Sequence, residues 1–434
     1  MSTSVLDFID PSLHAGIAAR TSTTDVSGDI QEAINHVHDQ GGGTLYFPAG
    51  AYHCAAVIQN KRFVSWRGDG PHGSALIWPL SHTTHGVRQA NPLNAGTTVR
   101  LTVEGMAFGN CNSTGTTFNT ASSAGGGWYD TASHQVRFLN CNFGGWKYGV
   151  ILDQSEEIDF HDCVFSNNKN GLWIVNGQEA ELSNTGASSG FSNRISVHGG
   201  AFSGTTNISL LDDGGEGRVY EGININTGVR AGRFAGVSNL RIADCYIEGV
   251  SASPLLFAAT RHSVGDAGQC SAVEIEANVI SPMGTSMIEI ASLGSLTLQA
   301  NRCPGELPIL VTGVQNCASF FSRGNNTQRP IIDNRAVYVT HVDEYVLEKA
   351  ATANVGAIGA NATAFVNVPA PGFIIGDMVE AVTASVDLGD DIVLSARLDN
   401  PVHANGNCQV RIKNEGAATT LPNCSYRVLL RKRV

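Results

Sequence analysis

Charge is scarce in this chain of 434 residues: Asp, Glu, Lys and Arg together make up only 15% of it. The charges present sum to −11, with no basic excess to form the face a duplex nucleic-acid binder carries, so no nucleic-acid partner is expected. Long apolar runs are also missing. None approaches the ~20 residues of a spanning helix, and no membrane span is expected. The first residues, MSTSVLDFIDPSLHAG, lack a basic segment followed by an apolar one, so no signal peptide is expected. The ten cysteines contain no C-x-x-C pair, which argues against a zinc ribbon or a redox motif, and neither metal nor cofactor is expected. Helical periodicity is nearly absent after residue 40.

Glycine is plentiful, at 49 residues, and short apolar runs alternate with turn residues. One helix is clear. In SGDIQEAINHVHDQGGG, Ile30, Ala33, Ile34 and Val37 follow i, i+3, i+4, i+7 spacing, with Ser27 as the expected N-cap and Gly41 as the stop. The strand TLYF follows at once.

Beyond it the chain repeats itself. LTVEGMAF, VRFLNCNF, IDFHDCVF, ISVHGGAF, LRIADCYI, VEIEANVI and LTLQANRC align on Met106, Cys141, Cys163, Gly200, Cys245, Asn278 and Asn301. The spacings 22, 23 and 45 describe a unit of 22 or 23, the last being two units; 33, 35 and 37 are one unit plus a loop. Like residues fall in columns: Phe108, Phe143, Phe165 and Phe202 two places after the key residue, and Ile151, Trp173, Leu210 and Leu255 ten after it. A unit of this size cannot bury its apolar face alone and must stack on its neighbours. The expected fold is all-β, a parallel β-helix of short strands with the helix near residues 29–39 as the lid on its open end.

DIQEAINHVHDQGGGTLYFPAGAYHC resembles the entry segment of the pectate-lyase-like right-handed β-helix superfamily, and SVLDFIDPSLHAGI resembles the lead-in of its phage tailspike and polysaccharide depolymerase branch. The resemblance implies a bacterial polysaccharide as partner, a homotrimer, association with other phage tail proteins and residence in a virion. It does not assign catalytic residues, because fold does not fix chemistry. On this reading residues 1–54 are lead-in, capping helix and first strand, and 55–334 are the β-helix. Period-2 runs such as DIVLSARL and CQVRIKN make 335–434 a small antiparallel β-sandwich, which by resemblance serves trimerisation or carbohydrate contact. Cys408 and Cys424 fall in that sandwich and are expected as free thiols.

Two constellations are candidates for chemistry. Twelve places after the key residue the column reads Asp153, Val175, Asp212, Phe257. Two coils at ~4.8 Å each would place Asp153 and Asp212 ~9.6 Å apart, near the carboxyl spacing of inverting glycosidases. Asp213 and Glu216 add acids in LLDDGGEGR, where Arg218 also lies, and Asn176 could orient a sugar. Asp at strand ends also makes turn hydrogen bonds, a structural alternative. The second constellation is the outer face of another sheet. There His161 and His198 should sit one coil apart, with Asp159, Arg137 and Arg241, supplying the base and cation that a lyase needs. That face is equally an ordinary solvated one. Trp128, Trp146 and Tyr148, in the Gly-rich stretches GGGWYD and GGWKYG, are candidate stacking platforms for sugar rings. Arg261, with His262 and Asp266, borders the groove in the loop RHSVGDAGQC. The expected function is a tailspike-like depolymerase, with hydrolysis favoured over β-elimination, and a non-catalytic glycan-binding tail protein as the other class.

Overall fold

The computed structural model describes residues 2–90, 100–111, 125–175, 192–261, 268–281, 284, 286–303, 309–315, 319–323, 326–327, 331–333, 340–342, 346–369, 378–385, 388, 391–398 and 407–431. Three long parallel sheets run side by side through the chain. The first begins at Ser2–Ser4 and reaches Thr340–Val342; the second spans Gly50–His53 to Asn326–Thr327; the third starts at Ile58–Asn60. Successive strands in each sheet come from successive coils. The chain folds as a right-handed parallel β-helix.

The lead-in forms helix α1, Pro11–Ala18, capped by the Asp10 carboxylate on the Ser12 N–H (2.8 Å). Helix α2, Ser27–Asp39, buries Ile30, Ala33, Ile34 and Val37 against the first strands. The expected cap shifts by one place: Val26 is the N-cap and gives no side-chain bond, while Ser27 is buried inside the first turn. Asp25 takes over, accepting from the Ser27 N–H (3.0 Å) and hydroxyl (2.6 Å) and from the Ala55 N–H (2.9 Å). Gly41 and Gly42 leave the helix with φ of +92° and +97°.

Each coil turns from the first sheet into the second through one residue in the left-handed region. Gly105, Asn140, Asp162, Gly199, Gly222 and Asp244 fill this column in turn, residue types that tolerate positive φ well, and Ala277 and Ala300 continue it. The next residue points inward, so Cys141, Cys163 and Cys245 are buried, each thiol donating to a nearby carbonyl. The phenylalanine column stacks as its spacing implies. Ring centroids are 5.1 Å apart for Phe108 and Phe143, 5.4 Å for Phe143 and Phe165, and 4.4 Å for Phe165 and Phe202. Such pairs add about 0.5–1.5 kcal/mol each beyond area burial. The double spacing of 45 holds a full coil whose first-sheet strand is Gly215–Glu221. It escapes the repeat pattern because Arg218 occupies the inward position that Ile195 and Leu240 fill in neighbouring coils.

After the coils, Val346–Ala353 extends the third sheet and pairs antiparallel with Cys424–Arg431, which pairs with Met378–Ala384. A separate antiparallel sheet joins Thr363–Pro369, Asn407–Asn414 and Ile392–Leu398, with Val366, Val368, Val410 and Ile412 buried. Cys408 and Cys424 are buried free thiols. Among the described residues, no helix is long and apolar enough to cross a membrane.

Candidate functional site

The third sheet carries the acids on which a paired-carboxylate site would depend, and its register separates them. Leu172 pairs with Leu210, 38 positions on, whereas in the second sheet Phe165 pairs with Phe202, 37 positions on. The intervening connection is one residue longer in the later coil: 204–207 against 167–169. A one-residue slip moves a whole strand's side chains to the opposite face. Asp153 therefore aligns with Val175, while Asp212 aligns with Ile174 and Phe234. The column Ile151, Trp173, Leu210 breaks in the same way. Leu210 lies in the main core, and Ile151 and Trp173 join Leu211 in a second apolar cluster on the sheet's other side.

The expected catalytic pair is thus corrected: Asp153 and Asp212 lie on opposite faces of the sheet, and both are buried. Asp212 is inside the solenoid. Its Oδ2 accepts from Arg218 Nε at 2.7 Å and from the Tyr220 hydroxyl at 3.1 Å. Arg218 is also fully buried and donates to the carbonyls of Ser192 (2.8 Å), Gly214 (2.6 Å) and Glu216 (3.0 Å). Its guanidinium is enclosed by these partners. Burial pushes the Asp212 carboxyl up, against the pull of Arg218. Asp213, on the outer side, is buried too, bound to Arg233 (3.2 Å) and to the Trp173 indole N–H (3.3 Å). Asp153 accepts from the Tyr129 hydroxyl at 3.2 Å. Glu216 alone of the four is exposed, and it accepts from Asn239 at 2.7 Å.

The aromatic platforms are also corrected. Trp128 points inward between Trp66 (5.5 Å), Phe108 (5.6 Å) and Phe138 (5.2 Å). Trp146 fills the corner after the second sheet, donating from its ring N–H to the Phe108 carbonyl at 3.0 Å. The glycine-rich neighbourhood exists to admit that ring: a Cβ at Gly127 would fall 2.8 Å from Trp146 Nε1. Tyr148 is buried and stacks on Trp173 at 4.3 Å. Arg261 is half-buried against Gly236 on another corner. Asn176, His262 and Asp266 lie outside the described residues.

The open surface is the outer face of the first sheet. A groove of about 880 Å³ crosses six of its strands, lined by Glu157, Asp159, Arg194, Ser196, Val219, Asn239, Arg241 and Glu274 among others. Glu157, Arg194, Gly217 and Asn239 all have positive φ, a repeated kink that opens each strand and aligns these residues along one edge. Ion pairs cross from strand to strand. Arg194 meets Glu157 at 2.8 Å, Arg137 meets Asp159 at 3.5 Å, and Arg241 bridges Glu221 (3.3 Å) and Glu276 (3.4 Å). Ser196 donates to Asp159. His161 and His198 lie on adjacent strands with ring centroids 5.1 Å apart and planes 21° apart, and His198 Nδ1 is 3.3 Å from Glu221. Glu274 is exposed in the groove and makes no hydrogen bond or ion pair among the described residues. Sequence reasoning placed the histidine ladder, Glu274 and Glu276 on this face but missed Glu221, which belongs to the coil hidden by Arg218. No cluster of His, Cys, Asp or Glu among the described residues is arranged to hold a metal ion.

No family model matches the chain, and no curated protein matches it. Solved structures do. DFA-IIIase from Arthrobacter chlorophenolicus in complex with DFA-III is 12% identical, with 78% of this chain and 85% of that one covered and a TM-score of 0.53. The surface protein and adhesin PfbA of Streptococcus pneumoniae is 12% identical over 79% of this chain and 100% of that one, with a TM-score of 0.47. A mannuronan C-5 epimerase A-module from Azotobacter vinelandii is 16% identical over 78% and 98%, with a TM-score of 0.39. At these identities the likeness is one of fold.

Proposed function

We propose that the protein binds a bacterial polysaccharide lengthwise on the outer face of the first sheet and depolymerises it there. The observation that carries this reading is the 880 Å³ groove, open, continuous over six strands and lined by charged and hydroxyl side chains. Stacked coils repeat their outer side chains every ~4.8 Å, which suits a repeating ligand. DFA-IIIase, the neighbour solved in complex with DFA-III, fits a fold used on carbohydrates.

With Asp153 and Asp212 on opposite faces, the chemistry shifts toward elimination. His198 is half-exposed beside the groove and oriented by Glu221, and Arg241 binds the same carboxylate. An imidazole held by a carboxylate is a suitable base, and a nearby guanidinium suits the charge that develops next to an abstracted proton. In this reading His198 removes the proton beside a uronate carboxylate, the electron pair forms the ring double bond, and the glycosidic C–O bond breaks, the departing oxygen taking a proton from water while the His198 proton returns to solvent. A hydrolytic reading rests on Glu274 and Glu276. They sit two places apart on one strand, ~6.6 Å along it, with Glu276 held by Arg241 and Glu274 unpaired. The phage setting and the homotrimer belong to the same proposal and rest on the lead-in resemblance.

The test is incubation with a panel of capsular and O-antigen polysaccharides, following polymer length, reducing ends and ultraviolet absorbance of unsaturated ends. Shortening with absorbance, lost in His198→Ala, supports elimination. Shortening without absorbance, lost in Glu274→Gln, supports hydrolysis. Binding without shortening leaves a receptor-binding protein, and neither binding nor shortening across the panel rejects the proposal.

A further inference from the structure

A second cavity of about 390 Å³ adjoins the groove and shares Glu157 and Asp159 with it. Its other lining residues are Arg100, Leu101, Thr102, Gln135 and Arg137. Two guanidiniums therefore face one small space. Each is held by a single side chain on its Nε edge. Arg100 Nε donates to Gln135 Oε1 at 2.9 Å, and Arg137 Nε lies 3.5 Å from Asp159 Oδ2. Gln135 is itself fixed, donating to Glu157 at 2.9 Å, and Glu157 is tied to Arg194. Asp159 is likewise tied, accepting from Ser196. Among the described residues the hydrogen bond of Arg100 leaves from Nε and the ion pair of Arg137 is likewise on its Nε edge, so the Nη groups of both forks face the cavity as donors. Both side chains are exposed.

We propose that this cavity is an anion subsite that grips a charged substituent of the glycan, a carboxylate or a sulfate ester, by two arginine forks. The inference rests on the reading of the first sheet's outer face as a glycan groove and adds to it the class of substituent recognised. A guanidinium presents paired donors that match a planar or tetrahedral oxyanion, and holding Nε in place pre-sets the direction of the fork. The Thr102 and Gln135 side chains supply neutral hydrogen-bonding groups for the sugar that carries the anion. Glu157 and Asp159, at the boundary with the larger groove, are held in ion pairs with Arg194 and Arg137, which lessens their repulsion of an anion at the cavity's inner edge. A polymer lying through both cavities would then place a charged residue at Arg100 and Arg137 and its neighbours over Ser196, Val219 and Arg241.

The experiment measures affinity of the full chain for polygalacturonate, dextran sulfate and neutral dextran at physiological ionic strength. The variants are Arg100→Ala, Arg137→Ala, Arg137→Lys and, in the larger groove, Val219→Trp, each first shown to unfold at the wild-type temperature. Each arginine-to-alanine change is expected to weaken binding to at least one anionic polymer by about tenfold, as loss of a charge-assisted pair of bonds should, with Arg137→Lys recovering only part of it. Loss confined to polygalacturonate assigns a carboxylate, and loss confined to dextran sulfate assigns a sulfate ester. Unchanged affinity in both alanine variants, full recovery by Arg137→Lys, or no binding of wild type to either anionic polymer overturns the inference. If Val219→Trp alone abolishes binding, the groove reading stands and the anion subsite falls. If only the arginine variants lose affinity, the subsite stands and the larger groove is not the path of the chain.

Discussion

Asp153 and Asp212 end strands at the same corner of the same sheet, two coils apart, yet meet opposite surroundings. Asp153 faces away from the solenoid interior and accepts from a tyrosine; Asp212 faces into it and needs a buried arginine, a tyrosine and a turn N–H to be tolerated there. One additional residue in the connection 204–207 separates the two outcomes. A solenoid's outer sheet faces accept almost any polar side chain, whereas its interior accepts a charge only with every partner supplied.

Breaking the inner site should have the largest effect. Arg218→Met leaves Asp212 buried without its cation and is expected to destabilise by about 3–5 kcal/mol, measured by urea unfolding. Adding Asp212→Leu to that variant should recover much of the loss, since two apolar residues replace the pair; a double variant as unstable as the single one would refute this view of the interior. Trp128→Ala should cost a similar ~3–5 kcal/mol because it empties a packed aromatic site. A sugar-stacking tryptophan on the surface would show no such loss.

A third prediction extends the comparison to Asp130, which occupies the same inward column two coils before Asp212's neighbour Ile174. Burial pushes its carboxyl up to about 6 from the ordinary 3.8. Below the lower value both folded and unfolded chains hold the proton, and the group carries no penalty. Between the two values the unfolded chain ionises first, so stability should fall as pH rises, by roughly 3 kcal/mol in all above pH 6. Asp130→Asn should flatten that part of the stability profile; an unchanged slope in the variant would exclude Asp130 as its source. The smaller effects lie outside. Asp153→Asn exchanges one acceptor arrangement for another and should cost about 1 kcal/mol. Arg194→Ala breaks an exposed ion pair in the groove and should change stability by no more than ~1 kcal/mol, as read by melting, while changing glycan affinity.

These contrasts show where sequence reasoning reached and where it stopped. The phenylalanine and cysteine columns placed the second sheet and the turn before it, because positive-φ residues and inward apolar residues recur there at fixed offsets. The third sheet was less legible. Its connections differ in length by single residues, and counting from a distant key position carries that difference into every later column. Trp128 and Trp146 were misplaced for a related reason. A glycine-rich stretch next to a tryptophan reads as an exposed loop, but here the glycines clear space for an indole packed from the next coil.

The sequence by itself determined the repeat, the stacking of coils, the capping helix and the change to antiparallel strands near the C-terminus. Those follow from local periodicity and from the need of each coil to bury its apolar side against the next. Only the tertiary structure decided which carboxylates face solvent, that Arg218 is an internal strut, and that Arg100 and Arg194 join Arg137 and Arg241 on one face. Residues far apart in sequence become neighbours on that face through hydrogen-bonded register, and register is set by turn lengths that no single repeat contains.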